Sequence, residues 1–163
     1  MIEKVHQSHP DIKFVLFAVG FHSPDFDKLK VQIEEKKLSD TIVFVPWLSH
    51  ACTMDKLKKS LFYITCSRYE GLPLSLIEAM SMSKAVVASD VVGNCDCVVD
   101  KENGRLLPLD EKMYVEAIQE LLNDPSLCQQ YGVQSRAMFE QKFLIDRRIG
   151  ELMRTYREVR ECS

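Results

Sequence analysis

Residues 68–80 read Arg-Tyr-Glu-Gly-Leu-Pro-Leu-Ser-Leu-Ile-Glu-Ala-Met, and they follow an apolar run at Leu61–Cys66. The order is typical of a buried strand, a tight loop and a helix. Such a loop points backbone N–H groups and the positive end of the helix dipole at one place, which suits a phosphate. Glu70 in the loop and Glu78 about a turn inside the helix can accept hydrogen bonds from hydroxyls. Phosphate with sugar hydroxyls is the chemical profile of a nucleotide sugar.

Each glutamate, taken singly, is more often a solvated residue of a loop or helix face. The whole order is more specific, and it resembles the Glu-seven-residues-Glu motif of the retaining family 4 glycosyltransferases, which have the two-domain GT-B fold. Three later segments extend this resemblance over roughly residues 12–125. Lys84–Asp90 resembles the family's next strand, and Asn103–Leu107 its Asn-Gly-x-Leu-x strand start. Gly93-Asn94-Cys95-Asp96 is similar to the Gly-Asn-x-Asp variant of the Gly-Gly-x-x-Glu loop, common in capsule and exopolysaccharide members.

Composition indicates an ordinary globular chain. The 163 residues are 46% hydrophobic and 28% charged with a net charge of −3, so we expect one domain over residues 1–163, with carboxy-terminal helices from about 126. The charge gives no general attraction to nucleic acid. No apolar run reaches the ~20 residues that span a bilayer, and the start lacks the design of a signal peptide. Six cysteines in no zinc pattern suggest free thiols and a cytoplasmic protein.

Short apolar runs alternate with helical patterns along the chain. This alternation predicts an α/β fold, a Rossmann-like parallel sheet with helices on both faces. Because ligands bind at the carboxyl ends of such strands, the Glu70 loop and the Asp90–Asp96 loop are expected to line one cleft. Strands are predicted at Ile12–Val19, Thr41–Val45, Leu61–Cys66, Ala85–Ser89 and Gly104–Leu107, and helices at Asp25–Lys37, Met54–Lys59, Leu74–Met82, Glu111–Leu122, Ser126–Phe143 and Ile145–Glu161.

The resemblance also implies missing parts. In the family a strand, a loop with two cations that grip the donor diphosphate, and a helix precede the position of Ile12. We expect this chain to begin inside that helix, so that it is the carboxy-terminal, donor-binding half with its first strand missing. The strands at Ile12–Val19 and Leu61–Cys66 would flank that strand. We predict that they close up and pair directly; the alternatives are insertion by a partner and an open edge.

The resemblance assigns roles to individual residues. Glu78 accepts hydrogen bonds from the two ribose hydroxyls of the donor, although a carboxylate that caps the helix start is the alternative. Glu70 is the catalytic candidate and faces the transferred sugar. Gly71 allows close approach of the ligand, and the backbone N–H groups of Leu72, Leu74 and Ser75 are candidate donors to sugar or phosphate.

Two further residues are donor-binding candidates. Trp47 follows the second strand, where the family places the base; it either stacks on that base or is a core residue. Asp96 replaces the family's Glu, and the resemblance implies that its loop closes over the sugar. We expect no metal, since no Asp-x-Asp pair is present, and no cofactor beyond the nucleotide sugar as substrate. The helix at Ile145–Glu161 is expected to pack its apolar side and expose a basic face, the alternative being contact with a partner chain or anionic lipid.

Three functions agree with these residues. The first is the donor half of a retaining hexosyltransferase in polysaccharide or glycolipid biosynthesis, working at the cytoplasmic face of a membrane. The second is a nucleotide-sugar binding module without catalysis. The third is one subunit of a split enzyme that needs a separate acceptor-binding chain. The chain alone is expected to give negligible transfer, because the cations and the acceptor domain are absent. The motifs leave the base, the sugar and the acceptor open.

Overall fold

The computed structural model describes residues 1–17, 24–45 and 49–161. Helices and strands alternate, as the sequence predicts. Helices are α1 (Ile2–Ser8), α2 (Pro24–Glu35), α3 (His50–Lys59), α4 (Leu74–Ser81), α5 (Val92–Cys95), α6 (Glu111–Asn123), α7 (Pro125–Lys142) and α8 (Ile145–Glu161), and strands are β1 (Phe14–Phe17), β2 (Ile42–Val45), β3 (Phe62–Thr65), β4 (Ala85–Ser89) and β5 (Gly104–Leu107). The last residues of the predicted strand Ile12–Val19 lie outside the described residues.

The chain forms two compact units. The first contains Met1–Lys59 and Asp110–Asn123, and the second contains Ser60–Leu109 and Asp124–Ser163. The single domain over residues 1–163 stays a prediction.

The first unit contains the parallel pair β1–β2, with register from Phe14 opposite Ile42 to Phe17 opposite Val45. Ile33 of α2, Leu38 and Ile42 form its buried cluster, against which Phe14 and other apolar side chains pack. Helix α1 lies against α6, where Lys4 Nζ lies 2.9 Å from a carboxylate oxygen of Glu111.

The second unit contains the parallel sheet β3–β4–β5, in that order. All five residues of the central strand β4 are buried, which is typical of a parallel strand covered on both faces. Helices α4 and α7 pack against β4. The core joins α4, β4, the segment after α5, and α7, and its buried members are Leu76, Met80, Val86, Ala88, Cys97, Val98 and Met138.

The α/β class with parallel strands is confirmed, but one detail of strand pairing is wrong. Strand β1 pairs with β2 and strand β3 pairs with β4, and the described strands form two separate sheets. The predicted direct pairing would join the segments at Ile12–Val19 and Leu61–Cys66, which contain β1 and β3. Among the described residues, no hydrogen-bonded ladder joins these two strands.

Helix α8 differs from its expected packing. Its apolar side chains are exposed rather than packed, among them Ile145 at 70%, Leu152 at 53% and Tyr156 at 63% of their full accessible surface. The amphipathic pattern therefore predicts the helix correctly, but within the described chain no surface covers its apolar side. Among the described residues, no helix has the length and apolarity needed to cross a membrane.

We predict that Gly132 of α7 does not tolerate a side chain. A Cβ at this position would lie 2.2 Å from Ser83 O, just before β4, so Gly132→Ala must push the helix away from the sheet. We expect a loss of about 1–3 kcal/mol in the free energy of unfolding, typical of overpacking. Gly150→Ala in α8 is the matched control, since nothing lies within 4 Å of its Cβ, and there the higher helix propensity of alanine should be neutral or stabilising. Urea denaturation of both variants measures the difference, and equal effects would contradict the close packing of α7.

Candidate functional site

The connection from β3 to α4 carries Glu70. Pro73 is the residue before the first turn of α4 and has no N–H, so it shapes the turn without donating. The N–H of Leu74 donates to Leu72 O at 2.9 Å, and that donor is therefore occupied inside the loop. Leu72, Leu74 and Ser75 are all exposed at the start of the helix.

Glu70 is half-buried and is held from two sides. Ser67 Oγ donates to its carboxylate oxygen Oε1 at 2.6 Å. The N–H of Gly93 donates to its backbone oxygen at 3.0 Å. Glu70 therefore has a defined orientation, which a solvated loop glutamate would lack.

A cleft of about 500 Å³ opens beside Glu70. Its walls come from the loops after β3 and β4, which are the two loops that the sequence predicts to share a cleft. Tyr69 is 91% exposed there. Val91 and Val92 are lining residues that the sequence motifs do not single out. The lining residues are Arg68, Tyr69, Glu70, Gly71, Val91 and Val92.

Glu78 lies on the same side of α4 as the exposed helix start. Its spacing from Leu74 and Ser75 is four and three residues, which places these side chains on one helix face. Leu76, Ala79 and Met80 point the other way and are fully buried. The half-buried Glu78 is thus at the edge between core and solvent.

Tyr63 connects β3 to the first turn of α4. Its hydroxyl lies 2.8 Å from Ser75 Oγ in the first turn of α4. Burial raises the pKa of Tyr63, and the charges of Glu70 and Glu78 raise this pKa further. The phenol therefore lies within electrostatic reach of both carboxylates. Tyr63 is not predicted from the sequence, because it stands inside an apolar run and reads as a core residue.

One predicted residue, Asp96, lies away from the cleft. Asp96 is exposed at the end of α5, where its backbone oxygen accepts from Lys142 Nζ at 3.2 Å, and it does not line the described cleft. Trp47 lies outside the described residues. Within the described residues, no group of three or more His, Cys, Asp or Glu side chains is arranged to hold a metal ion.

The chain is similar in sequence to a known protein family. Residues 1–138 match the family described as Glycosyl transferases group 1. Alpha-maltose-1-phosphate synthase of Mycobacterium tuberculosis is 30% identical over 155 residues, which cover 88% of this chain and 40% of that protein. The chain therefore spans well under half the length of this curated relative.

Two crystal structures share the fold. A mutant of Staphylococcus aureus TarM, in complex with Fondaparinux, alpha-GlcNAc-glycerol and UDP, aligns with a TM-score of 0.83 at 24% identity, over 94% of this chain and 30% of that chain. The C-terminal domain of the group 1 glycosyl transferase LpcC from Francisella tularensis aligns with a TM-score of 0.76 at 23% identity, over 88% of this chain and 77% of that chain.

We predict that Glu70→Gln and Glu78→Gln each lower the pKa of Tyr63. Each substitution removes a negative charge that opposes formation of the phenolate. Absorbance titration at alkaline pH measures this, with Tyr63→Phe identifying the signal of Tyr63 among the five tyrosines. Glu140→Gln is the control, because Glu140 on α7 is not among the charges that shift this pKa. An unchanged Tyr63 titration in both glutamine variants would show that the charges of Glu70 and Glu78 do not act on this phenol.

Proposed function

Because the chain belongs to the Glycosyl transferases group 1 family, we propose that it is the donor-binding part of a glycosyltransferase that takes a hexose from a nucleoside diphosphate sugar. The observation that carries this proposal is the cleft of about 500 Å³ beside Glu70, which the loops after β3 and β4 line. The cleft lies at the carboxyl ends of parallel strands, the usual ligand position in such sheets.

Glu78 is the proposed ribose ligand. A carboxylate has two oxygens, so it can accept from both hydroxyls of a vicinal diol. Its half-buried position one turn inside α4 supports this role, since Leu74 and Ser75 at the start of the same helix are exposed and the helix dipole favours an anion there. The presence of UDP in the TarM structure supports a nucleoside diphosphate as the ligand class.

Glu70 is the proposed residue at the transferred sugar. Glu70 lines the cleft and Ser67 orients its carboxylate, so the carboxylate can accept from a sugar hydroxyl in a fixed geometry. Gly71 beside it is exposed and has no heavy atom within 4 Å of a Cβ position, which leaves room for a ligand close to the backbone. We place Trp47 at the base and Asp96 in the loop over the sugar, as the family resemblance implies.

The proposed reaction replaces the nucleoside diphosphate at the anomeric carbon with an acceptor hydroxyl, and the configuration is retained. The protein contributes positioning of the two reactants and stabilisation of the charge that develops on the leaving diphosphate. The proposal includes no metal and no cofactor.

We place the acceptor in another domain or chain, and the product in a polysaccharide or glycolipid assembled at the cytoplasmic face of a membrane. The small share of the relative's length that this chain covers supports a separate acceptor-binding part.

We predict that Glu78→Ala weakens binding of a nucleoside diphosphate. Loss of up to two hydrogen bonds to a charged group should cost at most about 1.5–3 kcal/mol each, and each 1.4 kcal/mol is a tenfold change in Kd. Calorimetry with UDP, GDP and ADP measures the change. Glu102→Ala is the matched control, because this exposed glutamate before β5 does not line the cleft. Unchanged affinity for all three nucleotides in Glu78→Ala would refute the ribose role, and no binding by the unmodified chain would refute the donor-binding function.

A further inference from the structure

Asn94 is a fully buried polar residue of α5, at 0% exposure. Its amide nitrogen Nδ2 donates to Ser89 O at 2.9 Å and to Ser89 Oγ at 3.2 Å. Its amide oxygen Oδ1 is buried and has no hydrogen-bond partner among the described residues. A buried acceptor without a partner is unfavourable, and an apolar side chain at this position would not introduce one. The contribution of Asn94 therefore comes from its amide N–H groups, which donate to Ser89.

The hydrogen bonds continue from Asn94 to the cleft. Ser89, the last residue of β4, donates its hydroxyl to Ser67 O at 2.6 Å. Since Ser89 Oγ is also approached by the Asn94 amide, its own proton is directed towards Ser67. Ser67 Oγ in turn donates to the Glu70 carboxylate at 2.6 Å. We call this series of contacts the relay: the side chains of Asn94 and Ser89 hold the backbone of Ser67, and the Ser67 hydroxyl, which also lies 3.0 Å from Thr65 Oγ1, holds Glu70. The relay connects the carboxyl ends of β4 and β3.

The neighbouring residue Gly93 makes a second connection between the same loops. Its N–H donates to Glu70 O at 3.0 Å. A Cβ at Gly93 would lie 2.7 Å from Gly71 O and 2.8 Å from Glu70 O, which shows how closely α5 approaches this backbone. Gly93 thus fixes the backbone of Glu70, while the relay from Asn94 fixes its carboxylate.

We propose that Asn94 is a positioning residue, which orients the Glu70 carboxylate in the cleft through Ser89 and Ser67. This inference rests on the proposed function, in which Glu70 meets the transferred sugar and Glu78 meets the ribose. Asn94 then acts on the sugar part of the donor and not on the nucleotide part. This difference separates positioning from a general effect on folding.

The test compares two ligands that differ only in the sugar. UDP with UDP-glucose and GDP with GDP-mannose are the probe pairs, measured by calorimetry on the full chain. Asn94→Asp keeps the shape of the side chain and removes both donors. We expect it to weaken the sugar nucleotide about tenfold, as for loss of a single oriented hydrogen bond, and to change the affinity for the free diphosphate by less than about twofold.

Two further variants complete the test. Ser67→Ala interrupts the relay next to Glu70 with a smaller change in the fold, and it should give the same selective loss. The double variant should lose little more than either single variant, because both act on one relay. Val98→Ala is the control: Val98 is 1% exposed in the same core and has no part in the relay, so this variant should be less stable but keep the wild-type ratio of the two affinities.

The outcomes are separable. Suppose that the chain binds the probes but that Asn94→Asp and Ser67→Ala weaken the binding of both ligands equally, or that their effects add in the double variant. The positioning role is then wrong and the proposed function stands. If Val98→Ala causes the same selective loss, the effect is one of stability and the positioning role is also wrong. If the unmodified chain binds neither probe pair, the proposed function fails, and the inference fails with it.

Discussion

The parallel pairing of β3 with β4 is the constraint on which the site depends. Parallel strands in register end at the same edge of the sheet. Thr65 and Ala88 are paired, so the loops that follow them begin side by side. The loop after β3 carries Glu70, and the loop after β4 carries α5. Burial of all five residues of β4 holds this strand inside the core of the second unit.

Close approach of the two loops then depends on small and polar residues in defined positions. Gly93 allows α5 to lie against the backbone of Glu70 and Gly71, where a side chain would collide. Ser67 and Ser89 supply hydroxyls short enough to bridge the strand ends. A larger or apolar residue at any of these positions would separate the loops or leave Glu70 without orientation. The same packing that forms the sheet edge therefore also orders the candidate site.

Tyr63 shows how the core and the site are coupled. The body of its ring packs against the buried cluster of the second unit, while its hydroxyl reaches Ser75 at the start of α4. A tyrosine suits such a position because its apolar ring and polar tip face different environments. The helix that carries Glu78 is thus connected to the strand that precedes Glu70 by one side chain.

Local sequence determined much of the fold. The apolar runs predicted strands β4 and β5 at their observed bounds, and the pattern after Pro73 predicted the start of α4. These predictions succeed because hydrophobic periodicity and the backbone restriction of proline act over a few residues. The motif also placed Glu70 and Glu78 in the correct loop and helix. Only the tertiary structure showed that β1–β2 and β3–β4–β5 are two sheets among the described residues, and that the apolar side of α8 is exposed. It also showed the contacts that Tyr63 and Asn94 make near the site. The motif at Gly93–Asp96 placed Asn94 in the loop after β4, but it did not reveal the burial of Asn94 or its hydrogen bonds to Ser89. A core tyrosine likewise has no local pattern that predicts its contact with Ser75, because such contacts depend on how the elements pack.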